Sequence, residues 1–331
     1  MGLIGYTCSY IPVELLSATG FLPYRLIHGT ISFSEKGEEV VKVDACPLVK
    51  ANLGYLLENE KKFVGVVGAT GCDLARRQLE VIAHFTSLPV HILNNPRTDN
   101  PKIFNDEIEE LVKFLEKLGQ KKLTPELVAR EIERWENFRE GLRVIDQQRK
   151  AKPSFFSTSD FHKLCISYHK GNPPANFPSS TSSPSTNPRV YLLGSPISYE
   201  ANPFLQLLEK DLQIVGDFNC GISRSLLIKI REKNLTGIKE AYYHQPPCIF
   251  KRPNKKFYEW VSKELKERHC QGIVTWTLDY CDNYEFELSR MEKTFGLPLL
   301  RIRSDFSFSH ISQWQLRIAA FAESIKENIY V

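Results

Sequence analysis

The chain has 331 residues, 42% hydrophobic and 25% charged, enough for two α/β domains and too many for one ordinary core. Its 43 Lys and Arg against 39 Asp and Glu leave a net charge of only +4, and no basic stripe interleaved with aromatics follows any element, so a nucleic-acid partner is not expected. The opening MGLIGYTCSYIPVELL offers no basic leader, apolar core or small-residue cleavage site, and no later run approaches the roughly 18 apolar residues of a membrane span. A cytoplasmic protein, with no membrane partner, is expected. Met1-Gly2 is not read as a myristoylation signal, because Tyr6 stands where that motif takes Ser or Thr. Eight cysteines spread over so long a chain argue against a disulfide framework and leave metal binding or plain burial.

In chain order, a short strand over 3–6 leads through Cys8-Ser9 into a helix from Pro12 to Gly20, with Pro in the first turn and Gly past the last. A strand over 22–27, a polar stretch and a helix over 47–58 follow. The segment FVGVVGATGCDLARRQLEVIAHF is the clearest βα unit: a β-rich run over 63–67, a glycine turn over 68–71 and an amphipathic helix from Asp73. Pro89 to Leu93 reads as a strand. These elements make an N-terminal α/β domain, 1–104. From Asn105 to about Gln148 the pattern is helical, with Pro125 opening a second helix and 162–168 a short third, forming a helical insert, 105–170. The Pro-, Ser- and Asn-rich stretch 171–188 reads as a linker.

The C-terminal half, 189–331, repeats the grammar. It predicts strands over 190–193, 213–215, 272–277 and 297–302 and helices after GSPIS, over 224–232, 255–268 and 285–295, and at the end of the chain. Alternating βα units imply doubly wound parallel sheets, here two domains facing a cleft.

In open α/β sheets ligands bind outside the carboxyl ends of the strands. Cysteines concentrate there: Cys8, Cys72, Cys220 and Cys281 each follow a predicted strand, and Cys46 stands before the helix at Pro47. Helix N-termini suit thiolate ligands, because free N–H groups and the helix dipole lower a thiol's pKa. A single cysteine in such a turn is more often a small buried hydrophobe; five in equivalent turns imply a metal or cluster site whose metal stays open. Zinc fits poorly without closely spaced pairs. Asp73 and Asp282 read as helix-starting acids rather than ligands. His162, Cys165 and His169 share one helical face, which suits an amphipathic helix better than a small metal site, and Cys270 reads as structural. GVVGATG lacks the Gly-Lys-Ser/Thr of a triphosphate loop. GSPIS, with Gly194 and Ser195, could cradle a phosphate or thioester tail, although an ordinary strand-to-helix turn explains it more simply.

Taken in order, IGYTCSYIPVELLSATGFLPYRL, DACPLVKANLGYLLE, GCDLARRQLE, LLGSPIS, GDFNCGISRS and GIVTWTLDYCDNYEFELSRMEKTFGLPLLRI resemble the 2-hydroxyacyl-CoA dehydratase and benzoyl-CoA reductase family, of which the 2-hydroxyglutaryl-CoA dehydratase D-component is one member and the double-cubane cluster proteins another branch. The resemblance spans nearly the whole chain. It implies an iron–sulfur cluster whose ligands fall first on Cys46, Cys72 and Cys281 and, in a second tier, on Cys8, Cys220 and Cys248. It also implies an ATP-hydrolysing iron–sulfur activator that injects low-potential electrons, and either a homodimer or a heterodimer with a related subunit. Asn283 departs from the proline that commonly follows the family's last Cys-Asp, and the chain is short for the family.

Three functions follow as expectations. The first is an anaerobic, ATP-coupled oxidoreductase with a double-cubane [8Fe-9S] cluster on about six thiolates, reducing a small substrate. The second is a lyase: a subunit of a dehydratase or aromatic-ring reductase with one [4Fe-4S] cluster on three thiolates, in which the injected electron makes a ketyl radical that eliminates the hydroxyl group. The third is a non-catalytic electron carrier or scaffold. The sequence names no substrate.

Overall fold

In the computed structural model, which describes residues 2–152, 156–173, 177 and 185–328, the apolar runs bounded by turns form strands, all paired in parallel. The first half contains β1 (Leu3–Tyr6), α1 (Val13–Ala18), β2 (Leu22–Arg25), α2 (Ile31–Gly37), α3 (Pro47–Asn59), β3 (Phe63–Ala69), α4 (Asp73–Phe85) and β4 (Val90–Leu93). Three helices follow: α5 (Pro101–Gly119), α6 (Pro125–Ala151) and α7 (Thr158–His169). The second half contains β5 (Arg189–Gly194), α8 (Asn202–Asp211), β6 (Gln213–Asp217), α9 (Leu235–Tyr243), α10 (Lys255–Glu267), β7 (Gly272–Leu278), α11 (Asp282–Glu285), α12 (Leu288–Phe295), β8 (Leu299–Ser304) and α13 (Ile311–Asn328).

Among the described residues these strands make two four-stranded sheets of one design, ordered β2-β1-β3-β4 and β6-β5-β7-β8. Each order reverses between its two central strands, so each sheet has a switch point, β1/β3 in one and β5/β7 in the other, outside which a crevice opens. The central strands of the second sheet are buried on both faces, as parallel strands covered by helices must be: every residue of β7 is buried, and five of six in β5. The apolar side chains of both sheets run into one continuous core, with Ile4 and Val67 of the first sheet, Leu192 and Trp276 of the second, and Trp135 and Phe138 of α6 between them. Trp135 also donates to Ser17 Oγ at 2.9 Å, tying α6 to α1.

Local chemistry accounts for most element ends. Asn100 and Thr124 cap α5 and α6 with side-chain acceptors, each followed by proline at the first helical position. Gly296, at φ +61, closes α12 in the left-handed conformation. Three helices differ from expectation, one of them α9, which the sequence does not predict. The stretch expected as a helix over 224–232 is only a 3-10 turn over Arg224–Leu227, because Ser223 is folded back onto Asp217 and Arg224 is drawn inward. The polar stretch after β2 contains α2, capped by Thr30 and packed on α3. The expected linker over 171–188 lies mostly outside the described residues.

Candidate functional site

The two switch points put thiols on facing turns. Cys8 follows β1 and Cys72 follows β3, the strands flanking the first switch point; Cys281 follows β7 and Cys220 follows β6 of the second sheet. Cys46, Cys72 and Cys281 each occupy the N-cap position of a helix, α3, α4 and α11. Asp73 and Asp282 sit in the first turns of those helices, in keeping with helix-starting roles. The turn into Cys281 is strained, since Tyr280 holds a left-handed φ of 60° that a side chain disfavours.

Long-range contacts join these turns. The Asn283 amide donates to the Gly71 carbonyl at 3.4 Å, linking the Cys281 and Cys72 turns across 212 residues. Arg25, at the end of β2, donates to the Cys220 carbonyl and to Ser225 Oγ, and Arg224 donates to Ser9 Oγ beside Cys8. Tyr10 accepts from the Cys248 N–H at 3.4 Å, bringing the 244–248 loop to the end of β1.

Six of the eight cysteines thereby become electrostatic neighbours: Cys46 with Cys72 and Cys281, Cys72 with Cys8, Cys8 with Cys220, and Cys220 with Cys248. All three first-tier and all three second-tier residues are in this constellation. Cys72 is exposed and the other five are half-buried. Cys165 is fully buried in α7 between His162 and His169, themselves buried, and Cys270 lies beside Arg268 and Arg189; neither joins the six.

Sulfur in this constellation meets hydrogen-bond donors at two of its turns. The Ala75 N–H donates to Cys72 Sγ at 3.3 Å. Cys46 and Cys281, also at N-cap positions, make no side-chain bond to the free N–H groups of their helices. Cys220 instead takes the Arg224 guanidinium at 3.6 Å. These donors lower thiol pKa values, as helix N-termini should, but in the chain alone burial outweighs them. It pushes Cys46 up to about 12 and Cys72 up to about 11, and raises Cys8 and Cys281. Only Cys220 is held below the ordinary thiol value, by the hydrogen bond from Cys248 and the charges of Arg224 and Arg25; Cys248, the donor, is raised.

The donor set fits an iron–sulfur cluster better than a single ion. Among the described residues no three His, Cys, Asp or Glu side chains close round a point in single-ion geometry. A polynuclear cluster needs something else: separated thiolates round its corners and N–H groups aimed at sulfur. Separated thiols stand on these turns, and at Cys72 an N–H is aimed at sulfur.

Ser195, 1% exposed, lies under this constellation. Its hydroxyl accepts from the Leu278 N–H at 3.1 Å and acts on the nearby Cys281 thiol. Gly194, at φ +126, sits where a Cβ would strike the Trp276 backbone, so only glycine lets β5 leave the sheet there. The pair therefore packs between the strand ends. A cavity of about 880 Å³ shares the 244–247 wall with the constellation, and Pro246 in that wall accepts from Arg224 at 3.0 Å. Sequence reasoning did not single out Arg25 or Arg224; Arg224 stands in the GDFNCGISRS motif, but nothing local marks it as buried.

Among the described residues no helix is long and apolar enough to cross a membrane. Two relatives are each 22% identical to this chain. "Putative dehydratase subunit YjiM" of Escherichia coli (strain K12) aligns over 98% of this chain and 91% of its own length. The (R)-phenyllactyl-CoA dehydratase beta subunit of Clostridium sporogenes aligns over 97% and 91%. Among solved structures, the SBP FpvC of P. aeruginosa aligns over 99% of this chain, but at a TM-score of 0.27 and 11% identity it carries no argument. The family model for the 2-hydroxyglutaryl-CoA dehydratase D-component matches residues 8–325, and on that match, which takes in all six cysteines, the chain belongs to the 2-hydroxyglutaryl-CoA dehydratase D-component family.

Proposed function

We propose that this chain is the iron–sulfur subunit of a dehydratase-type enzyme, with one double-cubane cluster held by Cys8, Cys46, Cys72, Cys220, Cys248 and Cys281. The observation that carries this reading is that six thiols on turns from both halves of the chain are linked pair by pair in one series, with cross-links at Ser9–Cys220, Tyr10–Cys248 and Gly71–Asn283, while Cys165 and Cys270 stay apart. When bound, such a cluster supplies single electrons at low potential, received from an ATP-hydrolysing activator. The chain's own residues do the rest: the Ala75 N–H orients the Cys72 sulfur, and the Leu278 N–H fixes the Ser195 hydroxyl beside Cys281. The Gly194-Ser195 turn floors the place where a small substrate would meet the cluster.

A second reading keeps one [4Fe-4S] cluster on Cys46, Cys72 and Cys281 in a dehydratase heterodimer. It is favoured by the N-cap geometry those three alone share and by the beta-subunit name of the Clostridium relative. Anaerobic purification with iron and sulfide counts per chain separates the two. About eight irons support the six-thiol site, and about four, with dependence on a second subunit, support the three-thiol site. Protein kept strictly anaerobic that carries no iron refutes both.

A further inference from the structure

Among the described residues five arginines are buried, and they divide into two kinds. Arg139 pairs with Glu14 at 2.6 Å, Arg149 with Asp146 at 3.2 Å, and Arg268 with Asp146 at 2.6 Å and Glu264 at 2.8 Å. Arg25 and Arg224, each 2% exposed, have no carboxylate within 4.0 Å among the described residues. The Nε of each is buried without a hydrogen-bond partner, as is that of the carboxylate-paired Arg149. Their other nitrogens reach only neutral acceptors and sulfur: the Cys220 carbonyl and Ser225 Oγ for Arg25; Ser9 Oγ, Cys220 Sγ and the Pro246 carbonyl for Arg224. Arg224 also lies 5.2 Å from the Tyr10 ring centroid, and half-buried Lys251 lies 5.1 Å from the same ring.

A buried cation without a counter-ion is costly, and elsewhere this fold supplies one each time. At most one anion of the chain, the Cys220 sulfur, serves both guanidiniums, so the further negative charge must be something that arrives. Resting on the cluster reading above, we infer that Arg25 and Arg224 are the counter-ions of a cluster lobe on Cys8, Cys220 and Cys248, and that they raise its reduction potential above that of the lobe on Cys46, Cys72 and Cys281.

The outer lobe has the opposite surroundings. Cys72 is exposed, Asp282 and Glu285 act on Cys281, and Asp73 stands in the first turn of α4. Reduction adds negative charge, so cations beside one lobe favour its reduced form and acids beside the other oppose it. An electron arriving from solvent at Cys72 would move inward, downhill. The two arginines act through the thiols and not on substrate.

The test uses the full chain, purified anaerobically and titrated with titanium(III) citrate under electron paramagnetic resonance, as wild type, Arg224→Gln, Arg25→Gln and Arg224→Lys. The wild type should show two reduction steps. Either glutamine variant, folded by circular dichroism, should lower the higher step by at least about 59 mV, tenfold in a one-electron equilibrium, and leave the lower step in place. Arg224→Lys should restore most of the shift. A glutamine variant that folds but loses iron counts for the proposal if lysine restores the iron and against it if lysine does not. Should Arg224→Gln fail to fold, Arg25→Gln removes a charge beside the same lobe and decides. A single reduction step, or unmoved potentials in iron-loaded variants, overturns the counter-ion role while leaving the cluster reading standing. A wild type without iron overturns the cluster reading itself.

Discussion

The two sheets of this chain share one strand order, yet they equip their switch points differently. In the first, both flanking strands run out to a cysteine, Cys8 after β1 and Cys72 after β3. In the second, β7 runs out to Cys281 but β5 runs out to Gly194-Ser195, and the compensating thiol comes from the edge strand β6 as Cys220. Charge is distributed as unevenly: buried arginines stand with Cys220, and acids stand with Cys281. Duplicated topology thus supplies two crevices, and the side chains placed on their rims differentiate them. One consequence is that buried charge in this molecule comes in two forms, internally paired away from the constellation and unpaired beside it.

The difference can be broken at its most sensitive point first. Cys72→Ala combined with Cys281→Ala should abolish iron binding in anaerobic protein, whereas Cys165→Ala, which touches none of the six, should leave iron per chain unchanged; iron retained in the double variant would remove the constellation as the site. Next comes the paired side of the comparison. Glu14→Gln takes away the charge 2.6 Å from Arg139, which keeps Glu136 at 2.8 Å, and leaves Tyr242 a weaker neutral acceptor, so it should cost about 1–3 kcal/mol in chemical denaturation while iron per chain stays the same.

A third effect tests the buried helix α7, the alternative metal site. Burial holds the His162 imidazole down at about 4, so the native state keeps it neutral while the unfolded chain protonates below its ordinary value of 6.5. The stability this histidine contributes is therefore complete above pH 6.5 and lost as pH falls through about 4, a change of up to about 3 kcal/mol. Denaturation from pH 7 to 4 should show that decline, and His162→Leu should flatten it by His162's share, leaving that of His169, which burial also lowers. An unchanged slope in His162→Leu would show that the histidine is charged or bound in the native state. The smallest effect concerns the link between the sheets. Asn283→Ala removes the bond to the Gly71 carbonyl and should cost about 0.5–1.5 kcal/mol, with faster amide exchange confined to the Cys72 and Cys281 turns.

Much of this architecture was legible because it is written locally. The strands are short apolar runs bounded by turns, and the helices begin at prolines and at capping side chains such as Asn100 and Thr124, so element type followed from neighbours a few residues apart. Where local rules and tertiary demands diverged, the reading slipped. Arg224 to Glu232 has helical composition, but a buried guanidinium and the Asp217–Ser223 bonds hold its start in a single 3-10 turn. Helix α9 was passed over although Asn234 caps it, accepting from the Gly237 N–H at 2.8 Å; its reason for being there is Tyr242, which reaches Glu14 across 228 residues.

By itself, then, the sequence determined that cysteines stand where parallel strands end and helices begin, because βα grammar acts over short range. Tertiary structure decided which of them meet. Cys8 and Cys220, Cys72 and Cys281 are brought together by contacts spanning some two hundred residues, and Arg25 and Arg224 became unpaired charges only once both halves had closed over them. No local pattern encodes that, since burial and the absence of a counter-ion are properties of everything packed around a side chain.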